Sequence, residues 1–265
     1  MLQLKKLSLF QFKNYNEKTL QFHAPIVCLH GPNGSGKTNV LDAIHFLCFT
    51  KSYFSTSDAL CVQYQKEGLR IQGLFEENEA PIEVSIILRE QGKKEVQANQ
   101  VLYTKLSQHL GKLPCVFITP DDTRFITDGS DERRRMLDKM IAQHSIQYVD
   151  TLMKYNRILH QRNALLKNWT PELNNMDALL EIYNEQLSEL GHSIWEERND
   201  YCNRFIPEVK KVYTALSNLK EEPTIVYESQ LKENNLLALL KENKAKDIVS
   251  KRSNYGIHKD DIAFT

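Results

Sequence analysis

Eight consecutive residues carry the strongest chemical signal in the chain: Gly31-Pro32-Asn33-Gly34-Ser35-Gly36-Lys37-Thr38. The spacing Gly31-x4-Gly36-Lys37-Thr38 is the Walker A phosphate-loop pattern. Glycines are needed there because the loop wraps a phosphate with backbone N–H groups, in conformations that a Cβ would obstruct. Lys37 then reaches the β- and γ-phosphates of a nucleotide, Thr38 offers its hydroxyl to Mg2+, and the N-terminus of a following helix adds a favourable dipole. ATP with Mg2+ is therefore the expected cofactor, with Thr38 as the protein's ligand to the metal.

A second Mg2+ partner should be an aspartate at the end of an apolar strand. Cys115-Val116-Phe117-Ile118-Thr119-Pro120-Asp121-Asp122 has the apolar run and the acids, but Pro120 fixes a turn that carries Asp121 away from the strand end. It reads as a loop near the site, and no catalytic residue is assigned. Asn243-Lys244-Ala245-Lys246 has Lys246 where a guanine-reading motif needs Asp, which argues against a GTPase. Asp42 lies one helical turn after Thr38 and is expected at the surface or behind the metal's ligands. His258-Lys259-Asp260-Asp261 lacks the spaced ligand set of a metal site. Arg133-Arg134-Arg135 opens a helix, where positive charge opposes the dipole. It is either a phosphate contact or pocket at a domain junction, or a solvated face with salt bridges to Asp131 and Asp138. Lys93 and Lys94, at an expected hairpin tip, could touch a DNA backbone or simply face water.

Elements must hold these residues in place. Leu2, Leu4, Leu7 and Leu9, then Leu20 and Phe22, alternate with polar residues as strands do, and residues 26–29 form a continuous apolar run. That third strand is expected to be the most buried. It enters the glycine loop, after which Val40, Leu41, Ile44, Leu47 and Cys48 recur at helical spacing. Further strands are predicted at 68–75, 82–89 and 96–103, with a turn at 91–94. From Ser130, read as a cap, helix takes over: a stripe of Met136, Leu137, Met140 and Ile141, then helices over 146–168 and 174–204 divided by Trp169-Thr170-Pro171. At 1.5 Å per residue these span roughly 35 and 45 Å, long enough for an antiparallel hairpin standing off the sheet. A return strand at 223–229, a helix at 231–246 and a strand cut short at 254–265 complete the pattern.

Composition narrows the class. The 265 residues are 41% apolar and 26% charged with ten Gly and eight Pro, which excludes a disordered or collagen-like chain. Lys and Arg number 34 against 34 Asp and Glu, so any nucleic-acid contact must use a local patch. No apolar run reaches the roughly 18 residues of a membrane span, and the N-terminus lacks a signal-peptide core; a cytoplasmic protein without a membrane partner is expected. Five cysteines with no C-x-x-C pair predict buried thiols, without a disulfide framework or zinc.

The ordered set of motifs is similar to the RecF family of bacterial recombination-mediator ATPases, relatives of the SMC head domains. The resemblance runs from Phe12-Lys13-Asn14-Tyr15 through the phosphate loop to Asn39-Val40-Leu41-Asp42-Ala43-Ile44. It continues with Lys51-Ser52, Asp58, Phe117-x2-Pro120-Asp121-Asp122 and Asp128-Gly129-x3-Arg133-Arg134-Arg135-x-Leu137-Asp138. Tyr155-x6-Arg162-Asn163-x-Leu165-Leu166 and Gly256-x-His258-Lys259-Asp260-Asp261-x3-Phe264 close the set. The family usually has Arg where Phe54 and Lys259 stand and Pro at Ile257. The resemblance implies an α/β P-loop core of the ABC/SMC-head type with an appended α-helical lobe. It places a first part of the ATPase core at 1–125, the helical lobe at 126–250 and a return into the core at 251–265.

It also implies that Lys13, Asn14 and Asn39 join residues 31–38 in binding nucleotide. ATP-dependent homodimerisation clamps double-stranded DNA, with RecR and RecO as partners, and the protein helps load RecA at gapped DNA, in DNA repair, recombination, replication and the SOS response. Family members continue past the equivalent of Thr265 into an ABC-type signature and a Walker B acid, neither of which occurs in these residues. The C-terminal part of the core is therefore expected to be missing, and the chain is expected to bind MgATP but hydrolyse it slowly and not dimerise on ATP. The alternative function class, a P-loop small-molecule kinase, would place the loop nearer the N-terminus and add an arginine-rich lid.

Overall fold

The structure is a computed structural model that describes residues 1–170, 175–218 and 223–264. The chain divides into two compact units, residues 1–117 and 118–265. The boundary falls eight residues before the expected one.

Alternation builds the first unit. In strand β3 (Leu69–Glu77), Leu69, Ile71 and Phe75 point inward while Arg70 and Leu74 face out, the period-2 pattern of a half-buried strand. Six antiparallel strands pair in the order β2-β1-β3-β4-β5-β6. The others are β1 (Leu2–Phe12), β2 (Tyr15–Gln21), β4 (Ala80–Leu88), β5 (Lys94–Ala98) and β6 (Val101–Leu102). Two-residue turns set the register. Asn78 and Glu79, and likewise Asn99 and Gln100, have positive φ, the type I′ geometry that matches strand twist. The second of these turns splits the strand predicted at 96–103. Lys13 and Asn14 form the tightest link, because Phe12 already pairs with Tyr15.

Helix α1 (Lys37–Phe49) covers this sheet with Val40, Ala43, Phe46 and Leu47, the helical stripe the sequence shows. Burial of the three larger side chains contributes roughly 2 kcal/mol each. The strand expected to be the most buried is the main discrepancy. Among the described residues, 26–29 pair with no strand, and Ile26 is 88% exposed. Residues 115–118 are likewise outside any strand: Cys115 and Phe117 turn inward, while Val116 and Ile118 are more than 80% exposed. A central strand owes its burial to neighbours on both sides, and apolar composition alone does not supply them.

The second unit is mainly helical. A single turn, α2 (Arg124–Thr127), precedes α3 (Ser130–Ala142), whose N-cap is Gly129; Ser130 lies inside the helix and does not cap it. Helix α4 (Ile146–Lys167) is capped by Ser145 Oγ, which accepts from the Tyr148 N–H. Helix α5 (Met176–Leu216) has 41 residues, about 60 Å at 1.5 Å per residue, and runs 12 residues past its expected end through Pro207. One proline removes one backbone hydrogen bond, a loss that the packed helix absorbs. Tyr148 meets Arg198 and Arg162 meets Asn184, so α4 and α5 are antiparallel as expected. Pro171 of the dividing segment lies outside the described residues.

The helix predicted over 231–246 is two, α6 (Leu236–Glu242) and α7 (Lys244–Ser250), broken at Asn243, whose amide caps back on Leu239 O. Strand β7 (Ile225–Glu228) pairs antiparallel with β8 (Asp261–Phe264). The final segment, expected to return into the ATPase core, thus makes its pairing inside the second unit.

Candidate nucleotide-binding site

The loop between residues 31 and 36 is a glycine construction in fact as well as in sequence. Gly31, Gly34 and Gly36 have φ of 149°, 81° and 96°. A Cβ at Gly36 would lie 2.5 Å from the Asn14 side chain and 2.7 Å from Tyr15 Oη, so the tight β1–β2 turn leaves no room for another residue. Gly36 is also the N-cap of α1. It supplies no side-chain cap, and the first turn carries no acid, so the helix presents its N–H groups to the loop with nothing of its own to neutralise them. That donor set suits an anion.

Lys37 folds over the same loop, its Nζ 2.7 Å from Gly31 O and 2.8 Å from Pro32 O. Its ammonium therefore sits at the loop mouth on two carbonyls. Pro32, Asn33 and Ser35 are exposed along the loop, and Thr38 is exposed on the first turn of α1. Asn39 donates to Asn14 Oδ1 at 2.8 Å, and Asn14 Nδ2 donates to Ser35 O at 3.4 Å. Asn14 and Asn39 thus brace the loop against the hairpin turn. All these residues converge on one surface, and the geometry fits a Mg-nucleotide: amides and Lys37 for phosphates, the Thr38 hydroxyl for the metal.

Lys13 has a different task from the one expected. Its Nζ is 2.5 Å from Asp42 Oδ2, and Asp42 is completely buried. The same carboxylate accepts from Ser52 Oγ and from the Tyr53 N–H, both at 2.7 Å. Asp42 is therefore a hub that ties α1 to the β1–β2 turn and to the segment after the helix, and the surface position expected for it is wrong. Helical phase carried the signal: Asp42 stands four residues before Phe46, on the inward face.

The remaining candidates are occupied by structural partners. Lys94 Nζ bonds Asp58 at 2.6 Å and Thr50 O at 2.8 Å, whereas Lys93 extends into solvent. A DNA contact from this hairpin would fall to Lys93; Lys94 is turned inward. Asp122 accepts from the Thr119 N–H at 2.7 Å in a 3-10 turn at Pro120–Thr123, so Thr-Pro does redirect the acids into a capped loop. Lys244 pairs with Asp177 and lies 5.4 Å from the Trp169 ring centre.

In the second unit, Arg133 makes a two-pronged bond to Asp261, at 2.7 and 2.9 Å. That contact holds the Asp261 carboxyl below the usual range. Arg134 reaches Asp131 and the Asp260 carbonyl, and Arg135 reaches Glu132. The triple arginine is thus a set of salt bridges, of which only the Asp131 contact was anticipated. Arg198, nearly inaccessible, holds Asp138 at 2.8 Å and Asp260 at 3.1 Å and donates to Ile257 O at 2.8 Å. Tyr227 donates to Asp260 at 2.6 Å. His258 sits between Tyr155 Oη at 3.0 Å and Ser253 O at 3.2 Å, and burial pushes its pKa down to about 4. Among the described residues no group of three metal-ligating side chains occurs, and no helix is long and apolar enough to cross a membrane.

Comparison with known proteins decides the family. The DNA replication and repair protein RecF of Flavobacterium johnsoniae is 40% identical over 261 residues, 98% of this chain and 73% of the relative. The chain belongs to the RecF family. RecF of Bacteroides fragilis is 36% identical over 260 residues, again 98% of this chain and 70% of the relative. A family model described as an AAA domain matches residues 6–254. Solved structures of the recombination mediator RecF of the RecFOR pathway, with ATPrS and with ATP, share 26% identity. They cover the whole of this chain with TM-scores of 0.92 and 0.91. The fold is that of a RecF-type P-loop ATPase, and the motif residues the family shares divide into two groups here. Residues 31–39 with Asn14 form the open loop, while Lys13, Asp42, Ser52 and Asp58 hold together the sheet and helix beneath it.

Proposed function

We propose that this RecF chain binds MgATP at residues 31–39 and uses it to assemble as a dimeric clamp on double-stranded DNA. The observation that carries the reading is the uncapped N-terminus of α1, opening into a loop that only glycine permits, with Lys37 folded across it. The amides of the loop and of the first turn hold phosphate oxygens, Lys37 exchanges its two carbonyl partners for them, and Thr38 Oγ1 holds the metal. Magnesium, when bound, offsets the charge of the phosphates. Asn14 and Asn39 keep the loop open by bracing it from the hairpin side. The solved RecF structures with ATP support the ligand, and the shared family supports a role in replication and repair.

The finer assignment is that ATP joins two copies around DNA and that the assembly, with RecR and RecO, promotes RecA loading at gaps. Exposed Lys93 is available to a DNA backbone. The test is retention of the intact gene product on closed circular and on linearised duplex DNA, with a nonhydrolysable ATP analogue and a salt wash. A clamp stays on the circle and slides from the linear form. Equal retention on both, or retention without nucleotide, would refute the clamp and leave only nucleotide binding.

A further inference from the structure

Two of the five cysteines stand together. The Cys48 thiol, in the last turn of α1 and 4% exposed, is hydrogen-bonded to the thiol of Cys115, which is only half-buried and packs on the same core. The other three are separate: Cys28 is exposed, Cys61 is bonded by the Ser52 and Ser55 hydroxyls, and Cys202 is buried in the second unit. The contact is asymmetric. Donation from Cys48 holds the Cys115 thiol below its ordinary range, while the same bond and burial push Cys48 up. Cys115 is thus the better nucleophile and the more accessible of the two.

We propose that Cys48 and Cys115 form an oxidant-responsive site, in which a peroxide converts the hydrogen-bonded dithiol into an intramolecular disulfide. The Cys115 thiolate attacks one peroxide oxygen, the O–O bond breaks, and after protonation the products are Cys115 sulfenic acid and one water. The Cys48 sulfur then attacks the Cys115 sulfur, and hydroxide leaves with the Cys48 proton as a second water. Two thiols have lost two electrons and the peroxide has gained them. Sulfurs already in hydrogen-bond contact need only a short approach and side-chain rotation to reach the S–S length of about 2.05 Å. The product would tether residues 115–118, which pair with no strand among the described residues, to the end of the helix that begins at Lys37.

The test uses the parent chain with hydrogen peroxide as probe. Remaining thiols are alkylated under denaturing conditions and the digest is mapped by mass spectrometry. The expected result is one dominant cross-linked peptide pair joining Cys48 to Cys115, lost on reduction with dithiothreitol. Cys28→Ser should keep it. Cys48→Ser should abolish it and leave a Cys115 sulfenic acid that dimedone traps. Recovery of both Cys48 and Cys115 as free thiols at a peroxide dose that oxidises exposed Cys28 would overturn the proposal. So would a Cys115 disulfide to any other cysteine. The parent map alone decides the pairing should either variant fail to fold.

Discussion

The polar groups around Lys37 and those around Arg198 are built from the same kinds of residue and treated in opposite ways. At the loop, an ammonium and a helix N-terminus face solvent with only backbone carbonyls and neutral amides against them. Around Arg198, the guanidinium, two carboxylates and two tyrosines are removed from water and joined to one another. Burying a charge costs several kcal/mol unless its partners are all in place, so the second arrangement is committed. Nothing can be added to it without breaking it. The first retains donors that a ligand can take over at little cost. Asp42 lies between the two extremes, a buried carboxylate directly under the open loop.

The comparison breaks most visibly at Arg198. Arg198→Ala should leave Asp138 and Asp260 without their cation in the interior of the second unit, destabilising it by about 4 kcal/mol. Urea denaturation followed by helical circular dichroism reads this, and a loss below about 1 kcal/mol would show the network to be dispensable.

Acid attacks the same region by another route. His258 takes up a proton only near pH 4 in the folded chain, against 6.5 when unfolded. Between these values the unfolded state binds more protons. The stability this histidine contributes is therefore complete above its unfolded pKa and is lost as pH falls through about 4, in total about 3 kcal/mol. His258→Gln should flatten that slope in denaturation curves collected from neutral pH down; an unchanged slope would assign the acid sensitivity elsewhere.

Asp42→Asn removes the anion from Lys13. Because the Lys13 side chain retains some access to water, the expected loss is nearer 2 kcal/mol than the full value of a buried pair. It should appear in thermal unfolding and lower MgATP affinity only in proportion to loop disorder. Thr38→Ala should have the smallest effect on stability. It should weaken nucleotide binding in Mg2+ more than in EDTA; an identical loss in both conditions would point to a folding defect.

Periodicity made much of this architecture legible. The β-hairpins, α1, and the antiparallel α4 and α5 follow from residue spacing, and the loop follows from its glycines. The exposed runs at 26–29 and 115–118 were misread because an apolar run reports the burial a strand needs, while pairing depends on which strands lie beside it. Helix α5 outran its prediction because packing overrode the proline. The buried arginines were hidden by their type, though not by their position. Arg198 follows Leu187, Gly191 and Ile194 on one face, and Arg162 stands between Ile158 and Leu166. A charge inside an apolar stripe marks a buried partner elsewhere in the chain, and the sequence does not say where. Asp42 was the same kind of signal on α1.

The central claim is that the open loop is a binding site and the lysine across it has no structural work. Calorimetric titration of MgATP into the parent chain and into Lys37→Ala, with unfolding curves for both, tests it directly. The account predicts a loss of affinity of roughly a hundredfold, since charge-assisted bonds to phosphate are worth about 1.5–3 kcal/mol each. Unfolding should change by less than about 0.5 kcal/mol. Equal MgATP affinity in the two chains, or a Lys37→Ala chain that unfolds as readily as Asp42→Asn, would contradict it.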